Sequence, residues 1–243
     1  MNYLLTLIFD GAGYHGWQRQ SNADSVQAHV EDAVEKLFGA HCTVYGCSRT
    51  DAGVHANVFK ANFICAKEMD PRTVVSGMNF FLPDDICVVN CEYAPATFNA
   101  RFSCVSKEYI YKIYNSTVPN PFYRYRVLFY KVPIDVSFLD RQAQAFVGTH
   151  DFAAFCAAGS SVKSTVRTVK KAGMERDRDL ILFRVEADGF LYNMVRIMVG
   201  TLLAIGEGKI APDSIPEILE SRQRVTAGKT IGPEGLYLNR VRY

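Results

Sequence analysis

Between two β-rich stretches the chain reads Gly46-Cys47-Ser48-Arg49-Thr50-Asp51-Ala52-Gly53-Val54-His55-Ala56. A strand end running into Arg-Thr-Asp-Ala-Gly makes a tight loop that presents a carboxylate beside a guanidinium. Gly53 opens a backbone conformation closed to other residues. An opposite charge favours the ionised form of a carboxylate, and a fixed carboxylate can serve as nucleophile or base. Taken alone, the string reads more readily as a turn whose Asp bonds its own backbone. The surrounding chain has to decide between the two.

The elements that would position this loop follow from periodicity. Tyr3–Phe9 is β-rich and alternates, which predicts a strand. Ser25 is placed to cap a helix over 26–38, with Val26, Val30, Ala33, Val34 and Leu37 on one face and Gly39 ending it. Strands are expected near 43–47 and 58–65, a helix from Pro71 towards Phe81, and a strand at 86–91. The second part repeats the order: strand 108–114, helix 135–147 capped by Asp135 or Ser137, strands 166–174 and 180–187, helix 190–205, and a last strand 236–241. A helix at 212–221 is inserted before that strand. Each half reads β-α-β-β-α-β, the ferredoxin-like arrangement, which the RRM modules of RNA-binding proteins resemble. The expected fold is therefore α+β. Two ferredoxin-like halves, 1–103 and 104–243, would carry mainly antiparallel sheets joined around a central cleft that is free to bind.

Composition narrows the class. Of 243 residues, 49% are hydrophobic and 21% charged, as in an ordinary globular protein. The start, MNYLLTLIFDG, lacks the marks of a signal peptide. The apolar stretch 194–205 is interrupted by Arg196 and falls short of the ~20 residues that span a bilayer. The expectation is a cytoplasmic protein without a membrane anchor. Seven scattered cysteines with no C-x-x-C pair argue for reduced thiols and against a zinc site. Net charge is +2 but uneven: residues 1–100 hold 6 Lys+Arg against 11 Asp+Glu, and residues 101–243 hold 21 against 14. That asymmetry points to a polyanion meeting the second half, Arg124, Arg126, Lys163, Arg167, Lys170 and Lys171 included.

Ser-Arg-Thr-Asp-Ala-Gly-Val-His at 48–55 resembles the signature of the tRNA pseudouridine synthase A family, and the resemblance runs along nearly the whole chain. Phe9 to Gln18 resembles the family's "D-G-x-x-Y-x-G-W-Q" opening, and Val26-Gln27 its "T-V-Q" helix start. Asn79 to Ile86 is similar to "N-x-x-L-P-x-D-I". Phe98–Phe102 gives "F-N-A-R-F", and Lys107–Tyr111 gives "K-x-Y-x-Y". Gly148–Phe152, Phe190–Arg196 and Gly235–Leu238 also fit, with Val241 and Tyr243. The chain departs from "A-G-x-T-A-P-A-x-G-L" at Ile231-Gly232-Pro233, where the Pro is displaced by one.

The resemblance implies isomerisation of uridine to pseudouridine at positions 38, 39 and 40 of the tRNA anticodon arm. The N1 glycosidic bond breaks, the base turns, and C5 rejoins the ribose, with no metal and no cofactor. It implies a homodimer that binds tRNA across both subunits. It also implies that Asp51 is the essential carboxylate, with attack on the base, attack on the sugar and removal of a sugar proton all open. Tyr109 matches the family's active-site tyrosine, whose ring could stack on the extruded base and whose hydroxyl could assist loss of the C5 proton. Arg196 matches its basic residue. A charge in an apolar helix needs a partner, and Asp51 is the expected one. Arg49, His55, Arg101, Arg167 and Lys170 are expected to contact RNA, and Trp17 and Tyr111 to be core. A non-catalytic RNA binder is the rival reading, opposed by the lack of an RNP1-type string. A metal-dependent hydrolase using Asp51, His55 and His150 is a third, opposed by the absence of ligand spacing.

Overall fold

A computed structural model describes residues 1–160 and 162–243. The chain forms two compact units, Met1–Val105 with Tyr237–Tyr243, and Ser106–Leu236.

The first unit opens with β1 (Asn2–Phe9), α1 (Val26–Phe38), β2 (Tyr45–Gly46) and β3 (His55–Ile64). α2 (Pro71–Phe81) and β4 (Ile86–Ala94) follow. β1 lies between β3 and β4, antiparallel to both. One face of β1 packs on α1: the Tyr3 ring sits 5.3 Å from Phe38 and 5.1 Å from Phe63. Each such large side chain contributes roughly 1.5–3 kcal/mol by leaving water. Asp70 caps α2 by accepting from the Arg72 N–H, with Pro71 in the first turn. Gly39 ends α1 in the left-handed conformation. Ser25 stands at the start of α1 as expected, but its Oγ is buried and bonds nothing. The first turn of α1 is satisfied instead by the preceding loop: Val26 N donates to Gly16 O (3.2 Å) and Gln27 N to Trp17 O (2.9 Å).

The second unit holds β5 (Ser106–Asn115), β6 (Leu128–Tyr130), α3 (Val136–Ala143) and β7 (Gly148–Asp151). β8 (Val166–Asp177), β9 (Leu180–Ala187), α4 (Met194–Gly206) and α5 (Ile215–Ser221) complete it. Its sheet runs β5-β9-β8-β7, antiparallel throughout, with β6 parallel to the end of β5. Asp135 caps α3. α4 begins four residues later than expected because Asn193, at φ 60°, turns left-handed and breaks the helix. Two short strands, β6 and β7, were not legible, being too brief to alternate.

The last strand, β10 (Leu236–Arg242), differs from expectation. It pairs parallel with β3, Tyr237 opposite His55 and Leu238 opposite Ala56. It therefore belongs to the first unit, and β7 is the fourth strand of the second. Alternation reveals a strand but not its partner. Counted on these bounds, the first unit holds 9 Lys+Arg against 11 Asp+Glu and the second 18 against 14. The charge asymmetry is milder than the sequence halves suggest, because Arg101, Arg240 and Arg242 fall in the first unit. Among the described residues no helix is long and apolar enough to cross a membrane.

Candidate active site

Asp51 sits half-buried in the loop between β2 and β3. The opening run 10–18 holds that loop from outside. Trp17 N donates to Thr50 O (3.2 Å), and Gly53 N donates to Tyr14 O (3.1 Å). Val54 N closes the turn on Asp51 O (3.2 Å), and Gly53 adopts φ 76°. The contact is backbone against backbone. A Cβ on Gly16, itself at φ +88°, would lie 2.3 Å from Thr50 O, and one on Gly11 would lie 2.0 Å from Val54 O. Glycine is required at both places by close approach, and at Gly16 by conformation too.

The cradle is itself fixed. Asp10 N donates to Asp85 O (2.9 Å), and the Tyr14 hydroxyl hydrogen-bonds the Asp85 carboxylate. Burial first, and then Asp85, pushes the Tyr14 phenol well above its usual range, so it keeps the proton it donates. Gln27 joins the run to the sheet: its Oε1 accepts from Arg19 N (2.9 Å) and Gln18 Nε2 (2.7 Å), and its Nε2 donates to Val44 O (3.0 Å). Trp17, 2% exposed, stacks on Phe59 at 4.1 Å and is core.

His55 is only 1% exposed and does not reach the surface. Its ring stacks on Tyr237 at 4.6 Å, and its Nδ1 accepts from Gly11 N at 3.0 Å, with Asp10 Oδ1 also 3.0 Å away. Its geometry is that of a strut behind the Asp51 loop. An i, i+4 relation to Asp51 in a motif does not distinguish a strut from a ligand contact, so burial had to be seen. Arg49 and Arg101, distant in sequence, are exposed and line one cavity of about 220 Å³ with Trp17, Gln27, Gly46 and Ser48. Two guanidinia at one mouth suit a phosphate or a base edge.

In the second unit, Tyr109 lies on β5 opposite Val185, 6% exposed, with Phe190 edge-on at 5.0 Å. Tyr111, on the same face, is fully buried and donates to Gly232 O (2.7 Å). Arg196 projects from α4. Its Nε donates to Ile231 O (2.7 Å) and its Nη1 to Asn193 Oδ1 (2.5 Å). The segment 231–233 that departs from the family pattern thus supplies two backbone acceptors, one to Arg196 and one to Tyr111. That loop is pinned to α4 by close approach: a Cβ on Gly200 would fall 1.9 Å from Lys229 O, and Gly228 N donates to Thr201 Oγ1 (2.9 Å).

Arg167 bonds the carbonyls of Ser164 and Val166, and Lys170 is exposed at the register shift in β8. His150 Nε2 lies 3.1 Å from Val147 O. Among the described residues no three His, Cys, Asp or Glu side chains converge to hold a metal ion.

A family model described as tRNA pseudouridine synthase matches residues 7–103 and 142–243. The chain belongs to the tRNA pseudouridine synthase family. Curated relatives named tRNA pseudouridine synthase A align along its entire length. That of Acetivibrio thermocellus is 44% identical over 242 residues, covering 100% of this chain and 99% of the relative. Those of Caldicellulosiruptor bescii and Clostridium kluyveri are 41% and 39% identical with the same coverage. The mixed α/β architecture with mostly antiparallel strands is the pseudouridine synthase fold, and the chain is an isomerase acting on tRNA. The matched spans of the tRNA pseudouridine synthase model contain Arg49, Asp51 and Arg196, whereas Tyr109 falls in the stretch 104–141 that only the full-length relatives cover.

Proposed function

We propose that the chain converts uridine to pseudouridine at positions 38, 39 and 40 of the tRNA anticodon arm, with Asp51 as its essential carboxylate. The observation that carries this reading is the Asp51 loop itself: its backbone is held on the opening run by two hydrogen bonds and two glycine contacts in a member of this family. Such fixing is what a reacting group needs, since its placement decides the rate. The reaction exchanges an N1–C1′ bond for a C5–C1′ bond, moves the C5 proton to solvent and leaves a proton on N1. It consumes no electron.

In this reading Tyr109 packs on the extruded base and its hydroxyl assists loss of the C5 proton. Arg196, oriented by Ile231 O and Asn193, supplies the positive charge. Arg49 and Arg101 hold the backbone or the base that must be displaced, and Arg167 and Lys170 contact phosphates. His55 acts from behind the loop. The protein works as a cytoplasmic homodimer without a cofactor, as the family resemblance implies. The first unit, Met1–Val105 with Tyr237–Tyr243, carries the catalytic loop, and the second, Ser106–Leu236, binds tRNA and forms the dimer.

Mapping pseudouridines in tRNA after treatment with the purified protein tests the site assignment. Modification confined to 38, 39 and 40 is expected. Modification of other stems with those positions untouched would overturn it.

A further inference from the structure

We propose that the turn 120–126 is a second nucleotide-binding site, a preformed platform on which an unstacked base of the tRNA, other than the reacting uridine, is stacked. The proposal rests on tRNA being the substrate. The run is Asn120-Pro121-Phe122-Tyr123-Arg124-Tyr125-Arg126, and no Asp or Glu occurs between Glu108 and Asp135, whereas four Lys and Arg do.

The turn is rigid. Asn120 caps it, its Oδ1 accepting from Phe122 N (3.0 Å). Tyr123 N donates to Asn120 O (3.1 Å), and Arg126 N donates to Tyr123 O (3.0 Å). Inward, the Tyr123 ring meets Tyr114 of β5 at 5.1 Å and anchors the turn to the sheet. Outward, Phe122 is 84% exposed and Tyr125 59%. The Arg124 guanidinium lies 4.5 Å over the Tyr125 ring and donates to its hydroxyl (2.6 Å). Tyr125 has φ 61°, a left-handed conformation that is costly for an aromatic residue and that Gly or Asn would adopt more cheaply.

A lone exposed Phe means little. Two outward rings and a stacked guanidinium, on a turn that is held in a strained conformation and carries two arginines, form the pattern that takes single-stranded bases by stacking and their phosphates by charge. A second copy of this chain is the wrong occupant. Two such turns meeting would juxtapose four arginines with no carboxylate from the segment to offset them.

The experiment compares Phe122→Ala, Phe122→Leu and Phe122→Trp in the full protein, using unmodified tRNA. It measures equilibrium affinity, KM and kcat for C5-label release, and oligomeric state by sedimentation. Loss of one stacked base is expected to raise Kd and KM about 5- to 150-fold in the Ala variant. Leu, apolar but without a π face, should fail to restore affinity and Trp should restore it, with kcat at saturating tRNA within about threefold throughout. Wild-type affinity and KM in the Ala variant would overturn the platform while leaving the isomerase intact. So would equal rescue by Leu and Trp, or an affinity loss that follows a change in oligomeric state. A wild-type protein that binds tRNA but releases no label would instead refute the functional reading, not the platform.

Discussion

Gly16→Ala probes the coupling between the opening run and the Asp51 loop. The new Cβ would stand 2.3 Å from Thr50 O, where ordinary contact begins near 3.4 Å, so one side must move by about 1 Å. Gly16 also holds φ +88°, a conformation that costs an L-residue about 1–2 kcal/mol. Overpacking adds roughly 1–3 kcal/mol. The sum, about 2–5 kcal/mol, is a large part of an ordinary domain stability of about 5–15 kcal/mol. The displaced carbonyl belongs to the residue before Asp51, and a shift of ~1 Å at a reacting group costs on the order of 100-fold in rate. Trp17, the single tryptophan, donates to that same carbonyl, so its fluorescence during urea unfolding reports from the contact. Gly13→Ala is the control, because a Cβ there meets nothing within 4 Å. It should leave both stability and single-turnover rate near wild type. A Gly16→Ala protein with the wild-type urea midpoint and rate would refute the claim that this glycine sets the loop.

Tyr109→Phe keeps the ring and removes the hydroxyl, and should lower kcat more than it raises KM, whereas Tyr109→Leu should impair both. Full activity in the Phe variant would remove the hydroxyl from the chemistry. tRNA affinity should fall steeply with salt, with a log–log slope of about −3 if about four phosphates are neutralised; a flat response would leave the basic surface merely solvated. Burial pushes the Cys91 thiol up to about 12 from an ordinary 9.0. The folded chain keeps that proton longer than the unfolded chain, so its contribution to stability is complete below pH 9 and is lost as pH rises towards 12. Alkylation at pH 8 should therefore spare Cys91 in the folded protein and reach it in urea; rapid labelling without denaturant would contradict the burial.

Much of this was legible in the residues, for physical reasons that differ by element. α1 and α2 announce themselves through apolar spacing and end signals, Gly39 and Asp70-Pro71, which act locally. The partner of β10 is set by contacts more than 170 residues away in sequence, and no local pattern encodes it. Asp51 is proposed on the resemblance that runs along the whole chain, since its own short string of glycine, carboxylate and arginine reads more readily as a turn. The glycines at 11 and 16 were visible, but their purpose was not, since close approach is a property of two segments. His55 follows the same rule: the string leaves it either structural or RNA-facing, and only its neighbours, Gly11 and Tyr237, show it to be interior. Ser25 shows the converse, a residue of the expected type at the expected cap whose bonds a neighbouring backbone has taken over.

The most direct test of the central claim is release of the C5 hydrogen from labelled uridine in intact tRNA, with wild-type protein and Asp51→Asn side by side. C5 becomes the point of attachment to ribose, so its hydrogen must pass to solvent if the isomerisation occurs. Wild type should release label without chain cleavage, without an added cofactor and fully in EDTA. Asp51→Asn should bind tRNA within about tenfold of wild type, because phosphate contacts supply most of the affinity, and should release none. No release by a wild-type protein that binds the tRNA, or near wild-type release by Asp51→Asn, would contradict the account.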